Sequence, residues 1–213
     1  KIPDDKTLNT IIDQIRQIIL KQPKDLSEQR MKEFTTLQTA ATYGHPPDQH
    51  ADEHFFVKLK DVKKKSLKSK KIRVTPIGSL KVLTYQKGYQ RISTDEKKSK
   101  LVETYYTHNK ERWYPGHLQI SEGVFIDDGG KNFDVSSKKW DAAGFDAKEQ
   151  AFTFWHTLSH LLTKSVSINS GYSSTAIREV VYIKKGSTEG GILLYTTHGG
   201  GDGTLGGLVS MVP

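Results

Sequence analysis

The chain has 213 residues, with 32 Lys+Arg against 24 Asp+Glu and a formal charge of +8. That length suits one domain, or one with a small appendage, and 8 Phe, 3 Trp and 9 Tyr are available to anchor a core. The absence of cysteine excludes disulfides, thiolate zinc sites, iron–sulfur ligation and a cysteine nucleophile. No apolar run approaches the roughly 18 residues of a membrane helix.

Taken in chain order, Leu8, Ile11, Ile12, Ile15, Ile18 and Ile19 form one stripe of helical period behind a cap at Asp4 or Asp5, ended by Gln22-Pro23. A second helix follows Ser27, with Met31, Phe34 and Leu37 on one face. Residues 1–48 therefore read as a helical hairpin appendage. Gly44 to His54 is polar and proline-broken, a loop.

From residue 55 the pattern changes to strands. Phe55–Val62, Ile72–Val74, Leu80–Tyr85 and Leu101–Tyr106 are short, β-branched or aromatic, and bounded by turn residues. Within them lies the charge. Lys58, Lys60, Lys63, Lys64, Lys65, Lys68, Lys70, Lys71 and Arg73 are opposed only by Asp61, so this segment carries the whole net +8 and the rest of the chain is neutral.

His117–Ile126 alternates most clearly, with Leu118, Ile120, Glu122, Val124 and Ile126 on one face. Glu149–Val166 returns to helix, apolar on so many sides that it reads as central and buried. Val180–Ile183 and Ile192–Thr197 are strand-like, and Gly199–Gly207 is glycine-rich. The expected class is α+β: the hairpin, then mostly antiparallel strands packed around a central helix over residues 55–213. The chain reads as an excerpt of a longer polypeptide.

Four features carry possible chemistry. The lysine run suits sequence-independent phosphate binding, or is a solvated loop; Phe55, Phe56, Tyr85 and Tyr89 allow base stacking nearby. His156 and His160 lie one helical turn apart. They read first as hydrogen-bonded residues of a buried helix. As metal ligands they need a carboxylate such as Glu179, Asp202 or Glu122, or a further histidine, His198, and Thr157 stands where an HExxH helix has Glu. Glu122 is an acid on an apolar strand face and needs a partner, with Arg178, Arg112, His156 and His160 as candidates. Gly201-Asp202-Gly203-Thr204-Leu205-Gly206 is a literal GxGxxG, and Gly207 extends the glycine-rich turn; without the acid a dinucleotide site needs further on, close packing or a ligand-approach turn fits better.

Read in order, His156-Thr-Leu-Ser-His160-Leu-Leu, Ser170-Gly-Tyr-Ser-Ser174, Ile177-Arg-Glu179, Tyr182, Gly190-Gly-Ile-Leu-Leu-Tyr-Thr-Thr197 and Asp202-Gly-Thr-Leu-Gly-Gly-Leu208 resemble the DrmB family of the DISARM anti-phage system and a related helicase-associated domain. Arg30-Met-Lys-Glu-Phe34, Leu80-Lys-Val82, Gly88-Tyr-Gln-Arg91, Trp113-Tyr-Pro115 and Glu122-Gly-Val-Phe-Ile126 extend the resemblance from about residue 30 onward. Lys81 and Val82 stand where the family has Arg-Glu, and family members often continue into a cysteine-bearing zinc segment.

The resemblance implies a cytoplasmic, non-catalytic accessory subunit that binds DNA beside a superfamily 2 helicase. It implies no cofactor and no membrane. In that reading Lys58–Arg73 contact phosphates, while Glu122, His156, His160, Arg178 and Glu179 form one buried polar cluster. The alternative is a metal-dependent hydrolase acting on nucleic acid through His156 and His160. A third reading has the basic run meet an acidic protein surface.

Overall fold

The structure, a computed structural model, describes residues 24–43, 57–59, 72–90, 101–108, 111–129, 138–197 and 207–212. The helix expected over Leu8–Ile19, the loop before residue 55, Lys60–Lys71, His198 and Gly201–Gly206 lie outside the described residues. The class is α+β. The chain forms two compact units, one of residues 1–80 with 121–213 and one of residues 81–120.

Unit one is built on a five-stranded sheet of order β1-β2-β7-β9-β8. Its strands are β1 (Val57–Leu59), β2 (Arg73–Tyr85), β7 (Gly116–Asp127), β8 (Ile177–Ile183) and β9 (Gly190–Thr196), residues 81–85 of β2 and 116–120 of β7 being counted with unit two. β9 lies between β7 and β8, antiparallel to both. Val124 stands opposite Leu194 and Ile126 opposite Ile192, so these four share one face; Phe125 and Leu193 share the other.

Each face is covered by a helix. α1 (Lys24–Tyr43) buries Phe34, Leu37, Ala40 and Ala41, residues spaced for one helical stripe. Phe34 stacks on Tyr182 at 5.4 Å and meets Phe125 edge-on at 6.0 Å. On the opposite face α3 (Ala147–Ser170) sets Trp155 into a cluster with Val124, Ile126, Ile177, Ile192 and Leu194. Each large aliphatic or Phe side chain removed from water here contributes about 1.5–3 kcal/mol.

Local chemistry sets the ends of α3. Asp146 accepts from Glu149 N at 2.8 Å while the Glu149 carboxylate accepts from Asp146 N at 2.9 Å, a reciprocal cap. Gly171, at φ 77°, ends the helix in the left-handed conformation. Ahead of it, the short α2 (Lys138–Ala142) rests Trp140 edge-on against Phe145.

The central element is thus the sheet, and α3 is a covering layer. Glu149 to Phe152, Trp155 and Ser159 are buried, whereas Lys148 and Thr157, and Leu161 and Ile168 farther along, face solvent. Several apolar residues all round suggested an enclosed helix, but periodicity does not say which apolar positions a neighbour reaches.

Unit two is two hairpins. β3 (Gly88–Gln90) pairs with β4 (Leu101–Glu103), and β5 (Tyr106–His108) with β6 (Glu111–Trp113).

The packing of α1 brings a carboxylate into unit one's interior. Glu33 accepts from the buried Tyr182 hydroxyl at 3.2 Å. Burial raises the Glu33 pKa, against the lowering effect of Tyr182, Gln29 and Arg30. Burial and then Glu33 raise that of Tyr182 well above its usual value. A carboxyl raised in the folded state contributes stability below its ordinary pKa and loses it as pH rises through the folded value. Glu33→Gln keeps an acceptor for Tyr182 without a charge. It is expected to raise the melting temperature at about pH 7, with the gain vanishing below about pH 4, in thermal denaturation followed by circular dichroism.

Candidate functional site

The five residues expected in one polar cluster fall into two places. Glu122 is 1% exposed on β7. Its Oε1 accepts from the Tyr172 hydroxyl at 2.6 Å and from Leu208 N at 3.0 Å, and its Oε2 from Val209 N at 3.1 Å. Its partners are thus a hydroxyl and two backbone amides, and neither a histidine nor an arginine. They fix the short 3-10 turn Val209–Met211, at the end of the glycine-rich segment, to the inside of the sheet.

Gly207, the one described residue of the expected glycine-rich turn, sits where a Cβ would lie 2.8 Å from the Ser170 carbonyl oxygen and 3.0 Å from the Tyr172 ring. Close packing accounts for this glycine. Arg178 faces solvent on β8, opposite Tyr195 of β9.

His156, His160 and Glu179 do come together. The two Nε2 atoms are 3.1 Å apart, and His160 Nδ1 is 3.2 Å from Glu179 Oε1. One potential ligand atom from each residue can be chosen so that all three lie within 4.8 Å of one another. This is a surface site: the His160 side chain is 62% exposed and that of Glu179 23%. The histidines are therefore not core residues. Phe152 stacks on His156 at 5.3 Å, and Thr163 donates to Glu179 Oε2 at 3.3 Å. Burial, then the neighbouring His160, lowers the His156 pKa, with Glu179 acting in the opposite direction.

Of the nine basic residues, Lys58 lies on β1 without a described side chain, and Lys60–Lys71 lie outside the described residues. Arg73 is described, and it is not free to meet phosphate. Its Nε and Nη2 grip both oxygens of Asp127 at 2.8 and 2.6 Å, and Nη1 donates to Thr42 of α1 at 2.8 Å. Asp127 is fully buried, so its charge requires this bidentate partner. Gln38 of α1 extends the network to Glu189 at 2.7 Å, and Lys184 reaches the same carboxylate at 2.9 Å. Burial alone would raise the Glu189 pKa; Lys184 and Gln38 outweigh it and hold it below the usual value.

Unit two carries a surface the sequence reading passed over. Tyr85 and Tyr105 flank Tyr114 at 5.9 and 6.0 Å, and the Arg112 guanidinium lies 4.8 Å above the Tyr105 ring. Tyr106 and Trp113, paired across β5 and β6, are 75% and 56% exposed. The signal was available in the density of Tyr85, Tyr89, Tyr105, Tyr106, Trp113 and Tyr114 within one short stretch.

With this geometry in place, comparison with known proteins is informative over part of the chain. No family model matches it. A curated protein from Bacillus paralicheniformis is 44% identical over 77 residues, 36% of this chain. That protein is the DISARM protein DrmB. The likeness to DrmB agrees with the ordered motifs. The matched stretch spans 13% of DrmB's length. Among the described residues no helix is long and apolar enough to cross a membrane.

Two substitutions separate structural from ligand-binding roles. Glu122→Ala strands two buried amides and a hydroxyl and should cost about 3 kcal/mol in urea denaturation, with Glu122→Gln costing less. Arg73→Ala removes the cation paired with buried Asp127 and should cost about 3–5 kcal/mol. Hydrogen exchange should then show α1 opening more readily, an effect a purely phosphate-binding arginine would not produce.

Proposed function

We propose that this chain serves a DISARM-type anti-phage defence system as a non-catalytic DNA-binding accessory that works beside a superfamily 2 helicase in the cytoplasm. The observation that carries the reading is the 44% identity to DrmB. The DNA-binding part is supported by two features of different kinds. Eight lysines in Lys58–Lys71, opposed by Asp61, give a local charge suited to phosphates without the help of Arg73. In unit two, exposed Tyr106 and Trp113 on one face of the β5–β6 ladder, and separately the Tyr85–Tyr114–Tyr105 series with Arg112, offer ring faces on which unpaired bases stack irrespective of sequence. Lysines with aromatics favour single strands, as produced where a helicase opens a duplex.

Fluorescence anisotropy with labelled single-stranded and duplex DNA, read at several salt concentrations, tests this. The protein should bind, with affinity falling steeply as salt rises. Replacing Lys63, Lys64 and Lys65 by Ala should reduce the log–log salt slope by roughly 2–3. Tyr106→Ala with Trp113→Ala should weaken single-strand binding by about 1–3 kcal/mol per lost stack and affect duplex binding less. No binding at low salt, or binding unaltered by the lysine changes, would overturn the proposal.

A further inference from the structure

We propose that His156, His160 and Glu179 bind one divalent transition-metal ion of the zinc class, with solvent completing the coordination. The two histidines project from successive turns of α3, and Glu179 comes from the middle of β8, opposite Leu194 of β9. Two secondary-structure elements therefore supply three neutral-or-anionic donors to one point.

The donor set fits such an ion. Imidazole nitrogen with a carboxylate oxygen is the ligand chemistry of zinc, nickel and copper, and unlike the all-oxygen shells preferred by calcium and magnesium. Bonds of about 2.0–2.1 Å to a tetrahedral ion place ligand atoms about 3.4 Å apart. The Nε2 atoms are already 3.1 Å apart, and the third donor lies within the 4.8 Å that spans the cluster. Closing the remainder requires Glu179 Oε1, 3.2 Å from His160 Nδ1, to swing toward the two Nε2 atoms.

The surroundings also hold the ligands in place. Phe152 stacks beneath the His156 ring, and Thr163, from the same helix, donates to the second oxygen of Glu179. That arrangement leaves Oε1 directed at His160. Hydrogen bonding of the non-ligating carboxylate oxygen is the usual outer support of a metal ligand. With three protein donors and an exposed side at His160, at least one position falls to water. An ion so held meets the first requirement of the hydrolase alternative without making the protein an enzyme. The proposal stands apart from DNA binding, and failure of either leaves the other intact.

The test is titration of the metal-stripped full chain with cobalt(II), whose tetrahedral complexes absorb in the visible, followed by displacement with zinc. One equivalent should develop the band and one equivalent of zinc should abolish it, with millimolar magnesium having no effect. His156→Ala and His160→Ala should each weaken binding at least about tenfold, and Glu179→Gln should weaken it while leaving the circular dichroism spectrum unchanged. The chain has 8 histidines, so the double variant His156→Ala with His160→Ala decides whether this cluster is responsible. A band retained in that variant, or no band in the unaltered chain, would overturn the proposal.

Discussion

Strand β9 is enclosed on both faces, and most of unit one follows from that enclosure. An antiparallel sheet can leave one face to water, but β9 has α1 over one side and α3 over the other, with β7 and β8 closing its edges. Two helices can approach the start of one strand only if its backbone is bare. Gly190 and Gly191 provide this on alternate faces. A Cβ on Gly190 would lie 2.5 Å from the Trp155 ring nitrogen, and one on Gly191 would lie 3.1 Å from Phe34 and 2.7 Å from the Ile126 carbonyl oxygen. Larger residues would push both helices away from the sheet.

The same enclosure restricts where charge can stand. Asp127 ends β7 and Glu189 precedes β9, each in the interior and each supplied with a cation close by in space, Arg73 and Lys184 respectively. Gln38 joins the two carboxylates. Polar and aromatic contacts therefore fix α1 at separate points along its length: Glu33 and Phe34, then Gln38 and Thr42. An apolar helix face alone tolerates sliding or rotation by a turn, whereas the bonds of Thr42 to Arg73 and of Gln38 to Glu189 tolerate neither. The network thus fixes the register of α1 more than it adds net stability, because pairing offsets a large desolvation cost.

Much of this layout was legible in the sequence where periodicity was long and clean, as in His117–Ile126 and Glu149–Val166. It failed where a local signal has two meanings. Pro76 and Gly78 look like a turn and divided β2 into two pieces. In the sheet they sit where β1 passes from pairing Lys58 with Ser79 to pairing Leu59 with Ile77, so Gly78 is the extra residue of a bulge. Glu122 was recognisable as an acid needing a partner, but a sequence advertises side-chain cations and not backbone amides. Two of its partners, the amides of Leu208 and Val209, belong to residues without a polar side chain, and the third is the Tyr172 hydroxyl. Arg73 misled in the opposite sense, being counted with adjacent lysines although its guanidinium fits a buried carboxylate better than an ammonium would.

These assignments bear on what sort of function the fold can support. The buried carboxylates Glu122, Asp127, Asp128, Glu149 and Glu189 all have structural partners, which leaves none of them free to act as a catalytic acid or base. The arginine that appeared to extend the basic segment is paired with one of them. Among the described residues the remaining candidates for recognition are exposed: rings on the hairpins of unit two and a histidine pair on the solvent side of α3. Exposed, sequence-tolerant groups of this kind suit binding to a repetitive polyanion better than selection of a small substrate, which needs convergent polar groups in a closed pocket.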